Sequence, residues 1–396
     1  MNDPTHMAPT EPLAVTPTVQ WMDDDGVMQS ARWRSEAGLP PPRRVVVADD
    51  QLSADKAYKW ICEGTALLWR GDYANARQLL QALTRRVDRK PRRPAESTAP
   101  APGEAFHRHR KTQGERARLL GMLLLPFEAD HSVPLPRAPD VRLAGAEAHG
   151  PVAEHYVASL RELLGLIGAH EWRKNGVEVA ALGERIHPHY GVFSPVRGEY
   201  VDLVQQQPLP AALAAHPVAF DIGTGTGVLA AVLARRGVRR VVATDHAPRA
   251  LECARANLTR LKLRHQVELV DADLFPSGRA ALVVCNPPWL PAKASSPLEH
   301  AVYDPDSRML RGFLAGLAAH LEPGGEGWLI LSDLAEHLGL RQREQLLGWI
   351  ESAGLAVAGR TDIRPRHPKA GDSADPLSAA RAAELTSLWR LLVRRT

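Results

Sequence analysis

The sequence predicts an α/β fold, with a doubly wound, mostly parallel sheet of seven strands behind a mainly helical N-terminal region. From Val218 onward, apolar runs of strand length alternate with amphipathic runs of helix length, the pattern of helices covering both faces of a parallel sheet. The first of those runs ends in three closely spaced glycines that open a helix. With hydrophobic residues at 44% and charged residues at 24% of 396, a sizeable core is available and global disorder is excluded.

Residues 1–50 read as a disordered tail. Prolines are frequent, Asp23, Asp24 and Asp25 form an acidic triplet, and neither a helical nor a strand period is evident; Trp21 and Trp33 stand as lone aromatics. Residues 51–170 read as a mainly helical domain. Ala57, Trp60, Ile61, Leu67 and Leu68 fall at helical spacing, and Tyr73, Ala76, Leu79, Leu80 and Leu83 resume it after Gly71, with Asp72 as N-cap. The stretch from Thr84 to Arg118 is the most basic in the chain, and PRRPAESTAPAPGEA within it has the composition of a linker. A solvated charge run and a phosphate-contacting arm both fit it. An amphipathic helix is expected over 152–169. In 171–210 a hairpin around Asn175-Gly176 and a lead-in helix precede the main domain, 211–396. There strands are expected near 218–222, 240–244, 267–270, 281–285, 327–331, 355–358 and 388–393, with a polar Pro/Ala-rich insertion at 367–383.

Composition removes several function classes. Cys62, Cys253 and Cys285 are too few and too scattered for a disulfide framework, no CxxC or HExxH occurs, and no metal site is expected. The N-terminus lacks the basic start and apolar stretch of a signal peptide, and the longest near-apolar run, Leu119 to Phe127, is too short to span a bilayer. A soluble protein of a reducing, cytoplasmic compartment, without a membrane partner, is the expectation. The balance of 49 Lys plus Arg against 45 Asp plus Glu permits nucleic-acid binding without arguing for it.

The chemistry is concentrated at strand ends. In VAFDIGTGTGVLA (218–230) a strand ends at Asp221, and Gly223, Gly225 and Gly227 let the backbone turn sharply and approach a ligand. The third glycine comes one residue too early for a dinucleotide fingerprint, and no phosphate-binding P-loop motif exists, so the spacing favours a nucleoside without a pyrophosphate. Asp245 ends the second strand, where a carboxylate can accept both hydroxyls of a ribose. Past the third strand, Asp273 is preferred to Asp271 as the acceptor for an adenine amino group. The fourth strand ends in Asn286-Pro287-Pro288-Trp289. Two prolines stiffen the turn and remove two backbone donors, leaving carbonyl acceptors beside the Asn286 amide oxygen. Trp289 offers a flat apolar face. Such a corner suits a planar NH2 group. Cys285 reads as a small buried residue and not as a nucleophile.

These residues together resemble a family. Residues 190–335 are similar to the class I S-adenosylmethionine-dependent methyltransferases, Rossmann-like in fold, of the amino-methylating group with an [N/D]-P-P-[Y/F/W] motif. Within it the likeness is to release-factor glutamine methyltransferases and small-domain ribosomal RNA guanine-N2 methyltransferases. It rests on DIGTGTG (221–227), TDHAPRALECARANL (244–258), DADLF (271–275), NPPW (286–289) and LEPGGEGWLIL (321–331), and more loosely on GVFSPVRGEYVDLV (191–204). The resemblance implies S-adenosyl-L-methionine as cofactor. Its methionine part would lie on Asp221, Gly223, Gly225 and Gly227, its ribose on Asp245 and its adenine amine on Asp273. Asn286 and the Pro287 carbonyl would take the substrate amine, with Trp289 stacking on it. It further implies a macromolecular substrate, RNA or protein, such as the ribosome or a translation factor. Trp289 stands where the glutamine enzymes usually carry Tyr, and the 190 residues before the sheet match neither family. The competing reading is a cofactor-binding module without catalysis, whose helices form the working surface.

Overall fold

The computed structural model describes residues 17–89, 101–196, 198–294, 299, 301–365 and 375–394. The chain divides into two compact units, one comprising Met1–Arg89, Arg118–Arg142 and Pro151–Leu163, the other Lys90–Ala117, Leu143–Gly150 and Leu164–Thr396.

The first unit is built on a six-stranded sheet. Strands β1 (Thr18–Met22), β2 (Met28–Trp33), β3 (Arg44–Ala48), β4 (Thr65–Trp69), β5 (Leu123–Phe127) and β6 (Tyr156–Ser159) take the order β1-β2-β6-β5-β4-β3. Helix α1 (Ala54–Cys62) joins the parallel pair β3 and β4, and α2 (Tyr73–Val87) follows. Ser53 Oγ accepts from Lys56 N and Asp72 Oδ1 from Ala74 N, so each helix begins on a side-chain cap. In chain order, helix α3 (Pro102–Leu120) precedes β5 and α4 (Arg142–His149) precedes β6, though residues up to Ala117 of α3 and from Leu143 of α4 belong to the second unit.

Four expectations are corrected here. The described part of the presumed tail holds three strands, and β1 alternates exposed and buried residues along its length. Trp21 and Trp33 belong to the buried core with Val19, Leu68 and Leu124, and are not lone aromatics. The region beyond residue 50 is likewise not mainly helical. Leu67 and Leu68 lie in β4, all five of whose residues are buried, and so short an apolar run has no period to separate strand from helix. The helix expected over 152–169 is instead β6 followed by α5 (Leu160–Asn175). Asn175 ends that helix, with Gly176 at φ +69°, and the hairpin β7 (Val177–Val179) with β8 (Glu184–Ile186) turns at 180–183. Residues 1–16, 90–100 and 366–374, which bear on the tail, the basic linker and the 367–383 insertion, lie outside the described residues.

The second unit carries the expected doubly wound sheet. After α6 (Glu199–Gln206) come β9 (Val218–Ile222), α7 (Val228–Arg235), β10 (Arg240–Asp245), α8 (Pro248–Arg260), β11 (Val267–Asp271) and β12 (Ala280–Cys285). Then follow α9 (Arg308–His320), β13 (Leu321–Ser332), α10 (Leu334–His337), α11 (Arg343–Ser352), β14 (Leu355–Ile363), α12 (Ser378–Ala383) and β15 (Thr386–Val393). The order is β11-β10-β9-β12-β13-β15-β14, with β15 antiparallel to both neighbours. Alternate residues of β9 and β12 enter two separate cores: Ala219, Leu282 and Val284 one, Phe220, Ile222, Val283 and Cys285 the other. Burial on both faces is why these strands read as near-continuous apolar runs. The chain leaves β9 toward β10 on one side and returns to β12 on the other, so the winding reverses between β9 and β12. Ligands of such sheets bind outside the carboxyl ends of the strands at that point.

Candidate active site

At the end of β9, Asp221 is 1% exposed. Its Oδ2 accepts from Thr224 Oγ1 at 2.6 Å and from Ala230 N, in the first turn of α7, at 3.0 Å. The carboxylate thereby satisfies one of the amides a helix start leaves without a partner. Burial outweighs both bonds and pushes the carboxyl up to about 6. Gly223, Gly225 and Gly227 all adopt positive φ, at +72°, +54° and +81°. At Gly227 a Cβ would stand 3.2 Å from Ala254 Cβ, so its absence lets α8 pack against the turn; at Gly225 nothing lies within 4 Å, leaving open space.

Asp245 ends β10, and its two oxygens are held by backbone amides: Gly225 N at 3.0 Å and Ala247 N at 2.9 Å. The second strand end is thus tied directly to the glycine turn. Asp271 lies opposite Asp245 in the β10–β11 register. Asp273, just past β11, is exposed and accepts from Arg308 Nη2 at 2.6 Å.

The corner after β12 sits beside the turn because Cys285 pairs with Ile222 in parallel register, so Asn286 and Gly223 leave adjacent strands together. Pro287 is buried, whereas Asn286, Pro288 and Trp289 are half-buried. Trp289 packs against both sheet cores, and its Nε1 donates to Asn286 Oδ1 at 2.9 Å. The indole therefore fixes the asparagine, whose oxygen keeps a second lone pair for an incoming donor. Burial drives the Cys285 thiol far above the ordinary range, leaving it inert.

Sequence reasoning passed over the start of α9. Asp304 N donates to Leu290 O at 2.8 Å, and the Asp304 carboxylate accepts from Met309 N and Leu310 N at 3.0 and 3.2 Å. One buried acid, its pKa raised by burial, ties the residue after Trp289 to a helix end. Met309 Cε then lies 2.6 Å from where a Cβ on Gly223 would be. Asp306 and Ser307 both hold left-handed backbone there, at φ 56° and 53°, a strain that needs support from its surroundings. The available signal was Asp-Pro-Asp-Ser before an apolar run, a helix-start pattern. Arg341, on the loop after α10, is 3% exposed, and its Nε and Nη2 have no hydrogen-bond partner among the described residues. The nearby Glu336 is already held by Arg343 Nε, at 2.8 Å to each oxygen.

Among the described residues, no helix is long and apolar enough to cross a membrane. Residues 184–348 match the family model of the methyltransferase small domain. The chain is 34% identical over 163 residues to the release factor glutamine methyltransferase of Deinococcus radiodurans, a stretch covering 38% of this chain and 55% of that one. It is 35% identical over 145 residues to the ribosomal protein L11 methyltransferase of Pelotomaculum thermopropionicum, covering 36% and 39%. The chain spans about half the length of the curated relatives it matches. Among solved structures, it resembles a ribosomal protein L11 methylase from Lactobacillus delbrueckii subsp. bulgaricus at 17% identity and a TM-score of 0.35, covering 54% of this chain and 87% of that one.

Proposed function

We propose, from the premise that residues 184–348 form a methyltransferase small domain, that the chain is an S-adenosyl-L-methionine-dependent N-methyltransferase acting on a planar amide or amino nitrogen of a macromolecule. The observation that carries this reading is the β9–β12 register, which sets the Asn-Pro-Pro-Trp corner level with the glycine turn. The residues present fit the cofactor. Gly225 leaves the cradle open, and both bonds to Asp221 fall on Oδ2, so Oδ1 has no partner among the described residues. Asp221, Gly223, Gly225 and Gly227 are proposed to hold the methionine part, Asp245 the ribose hydroxyls and Asp273 the adenine amine. When bound, the cofactor supplies a methyl group activated by a sulfonium.

The protein's own part is alignment. An amide or aromatic NH2 is a poor nucleophile because its lone pair is delocalised. Asn286 Oδ1 and the Pro287 carbonyl accept its two hydrogens, which localises that pair as charge develops and fixes the direction of attack. Trp289, bonded to Asn286, keeps the acceptor oriented and flanks the amine plane. No side-chain general base is required, since the proton leaves after transfer.

The glutamine amide of a protein, such as a translation factor, is the substrate favoured by the relatives named release factor glutamine methyltransferases. A nucleobase amine is the second reading, favoured by Trp289 where those enzymes usually carry Tyr. Transfer of a radiolabelled methyl group into cell extract separates them. Label that survives ribonuclease and is lost to protease supports protein; label that survives protease and is lost to ribonuclease supports RNA. Asn286→Ala is expected to raise the barrier by about 2–4 kcal/mol; full turnover by that variant would remove the corner from the mechanism.

A further inference from the structure

The first unit holds an opening that the methyltransferase reading does not use. Strands β1 and β3 are the two edges of the six-stranded sheet, yet their Cα atoms come within 8 Å of each other. The sheet thus curls until its edges face one another without pairing. An open depression of about 540 Å³ lies there, lined by Trp21, Met22, Met28, Arg43, Arg44 and Trp60 among others. Met22 and Met28, cross-strand partners, are 51% and 58% exposed. Together they place two flexible apolar side chains at the rim of the opening.

The lining combines two chemistries. Trp60 is half-buried, and Lys56 Nζ lies over its ring at 4.6 Å from the centroid, a place an incoming base would take as the ammonium swings to a phosphate. Arg43 and Arg44 are exposed at the start of β3. Glu63 is the acid among the lining residues, and Arg44 Nη2 meets its backbone carbonyl at 2.6 Å and not its carboxylate. On the neighbouring β1–β2 turn, Asp23 is bent back onto Val27 N and Gln29 Nε2. A purely apolar ligand would leave the guanidinium groups unused, and a bare phosphate would leave the indole and the methionines unused. A single-stranded polynucleotide supplies both a flat base and charged oxygens.

We propose that this opening binds single-stranded RNA, with a base stacked on Trp60 against Met22 and Met28, and flanking phosphates on Arg43, Arg44 and Lys56. The site lies outside the methyltransferase domain, so the proposal stands whichever nitrogen is methylated.

The test is fluorescence anisotropy of a labelled oligouridylate on the full chain. Three neutralised phosphates give a slope of about −2 in log affinity against log salt, so binding should weaken about twentyfold between about 50 and about 200 mM KCl. Trp60→Ala should weaken it on the order of tenfold, while Trp60→Phe, which keeps a stacking face, should restore most of that. The double variant Arg43→Gln with Arg44→Gln, at exposed positions that leave the core untouched, should flatten the salt slope by about 1.4. The proposal is overturned if the wild-type chain shows no binding at about 100 µM protein, or if these variants bind like wild type with an unchanged slope. It is equally overturned if sedimentation shows that Arg43 and Arg44 hold a second copy of the chain and no RNA is bound.

Discussion

Replacing Asp221 by Asn removes one negative charge from a site that is 1% exposed while leaving its hydrogen bonds in place. Thr224 Oγ1 and Ala230 N both donate to Oδ2, at 2.6 and 3.0 Å, so an amide oxygen in that position keeps both. Burial lifts the carboxyl from the ordinary 3.8 to about 6, and each unit corresponds to about 1.4 kcal/mol, so ionising it in the fold costs about 3 kcal/mol at neutral pH. The sign follows from proton uptake. Between about pH 4 and about pH 6 the folded state binds more protons than the unfolded state, so wild-type stability from this group increases as pH falls through that window. Asp221→Asn should therefore unfold at higher urea than wild type at pH 7, and the gap should close by about pH 4. Binding should move the other way. Loss of a charge-assisted partner at Oδ1 predicts an affinity for S-adenosylhomocysteine about ten- to a hundredfold lower. Wild-type affinity should itself fall about tenfold from pH 7 to pH 5 as Asp221 protonates, and the variant should show no such dependence. Urea titrations from pH 4 to 8 and calorimetric titration with S-adenosylhomocysteine read both arms. A variant less stable than wild type at pH 7, or one retaining the pH-dependent affinity, would refute the assignment of a strained buried charge to this strand end.

Gly223→Ala forces a side chain onto φ +72° with its Cβ 2.6 Å from Met309 Cε; thermal denaturation should show a loss of about 1–3 kcal/mol, with S-adenosylhomocysteine binding impaired. Trp289→Phe removes the donor to Asn286 Oδ1, at a stability cost of about 1 kcal/mol. Its methyl transfer into extract should fall several-fold while S-adenosylhomocysteine affinity holds, and loss of both together would mean the indole shapes the cofactor cleft instead. Arg341→Met exchanges a buried guanidinium, whose Nε and Nη2 have no hydrogen-bond partner among the described residues, for an apolar chain of similar length. The melting temperature should rise, by the equivalent of about 1–4 kcal/mol; a fall would show that Arg341 is structurally paired.

Much of the second unit was legible because its cues are local. The central parallel strands β9 and β12 are apolar on both faces, so Val218–Ile222 and Ala280–Cys285 announce themselves without reference to the rest of the chain. Gly223 and Gly227 mark a turn that L side chains resist, and Pro287 with Pro288 marks a rigid corner. The first unit was not legible for the converse reason. Its strands have four to six residues, β4 is buried throughout, and β1 has too few positions for alternation to stand out against a proline-rich segment. What makes these strands is pairing with partners distant in sequence, as β2 pairs with β6.

Residue types alone determined the order of chemistry at four successive strand ends of the second unit: an acid and three glycines, a second acid, a third, then an asparagine locked between a strand and two prolines. Only the folded chain decided that Asn286 stands beside Gly223, that Trp289 spends its N–H on Asn286, that Asp304 and Met309 close on the same strand ends, and that Asp221 is reluctant to ionise. Register, hydrogen-bond partner and desolvation each depend on atoms contributed by several segments at once, and no window along a single stretch contains them.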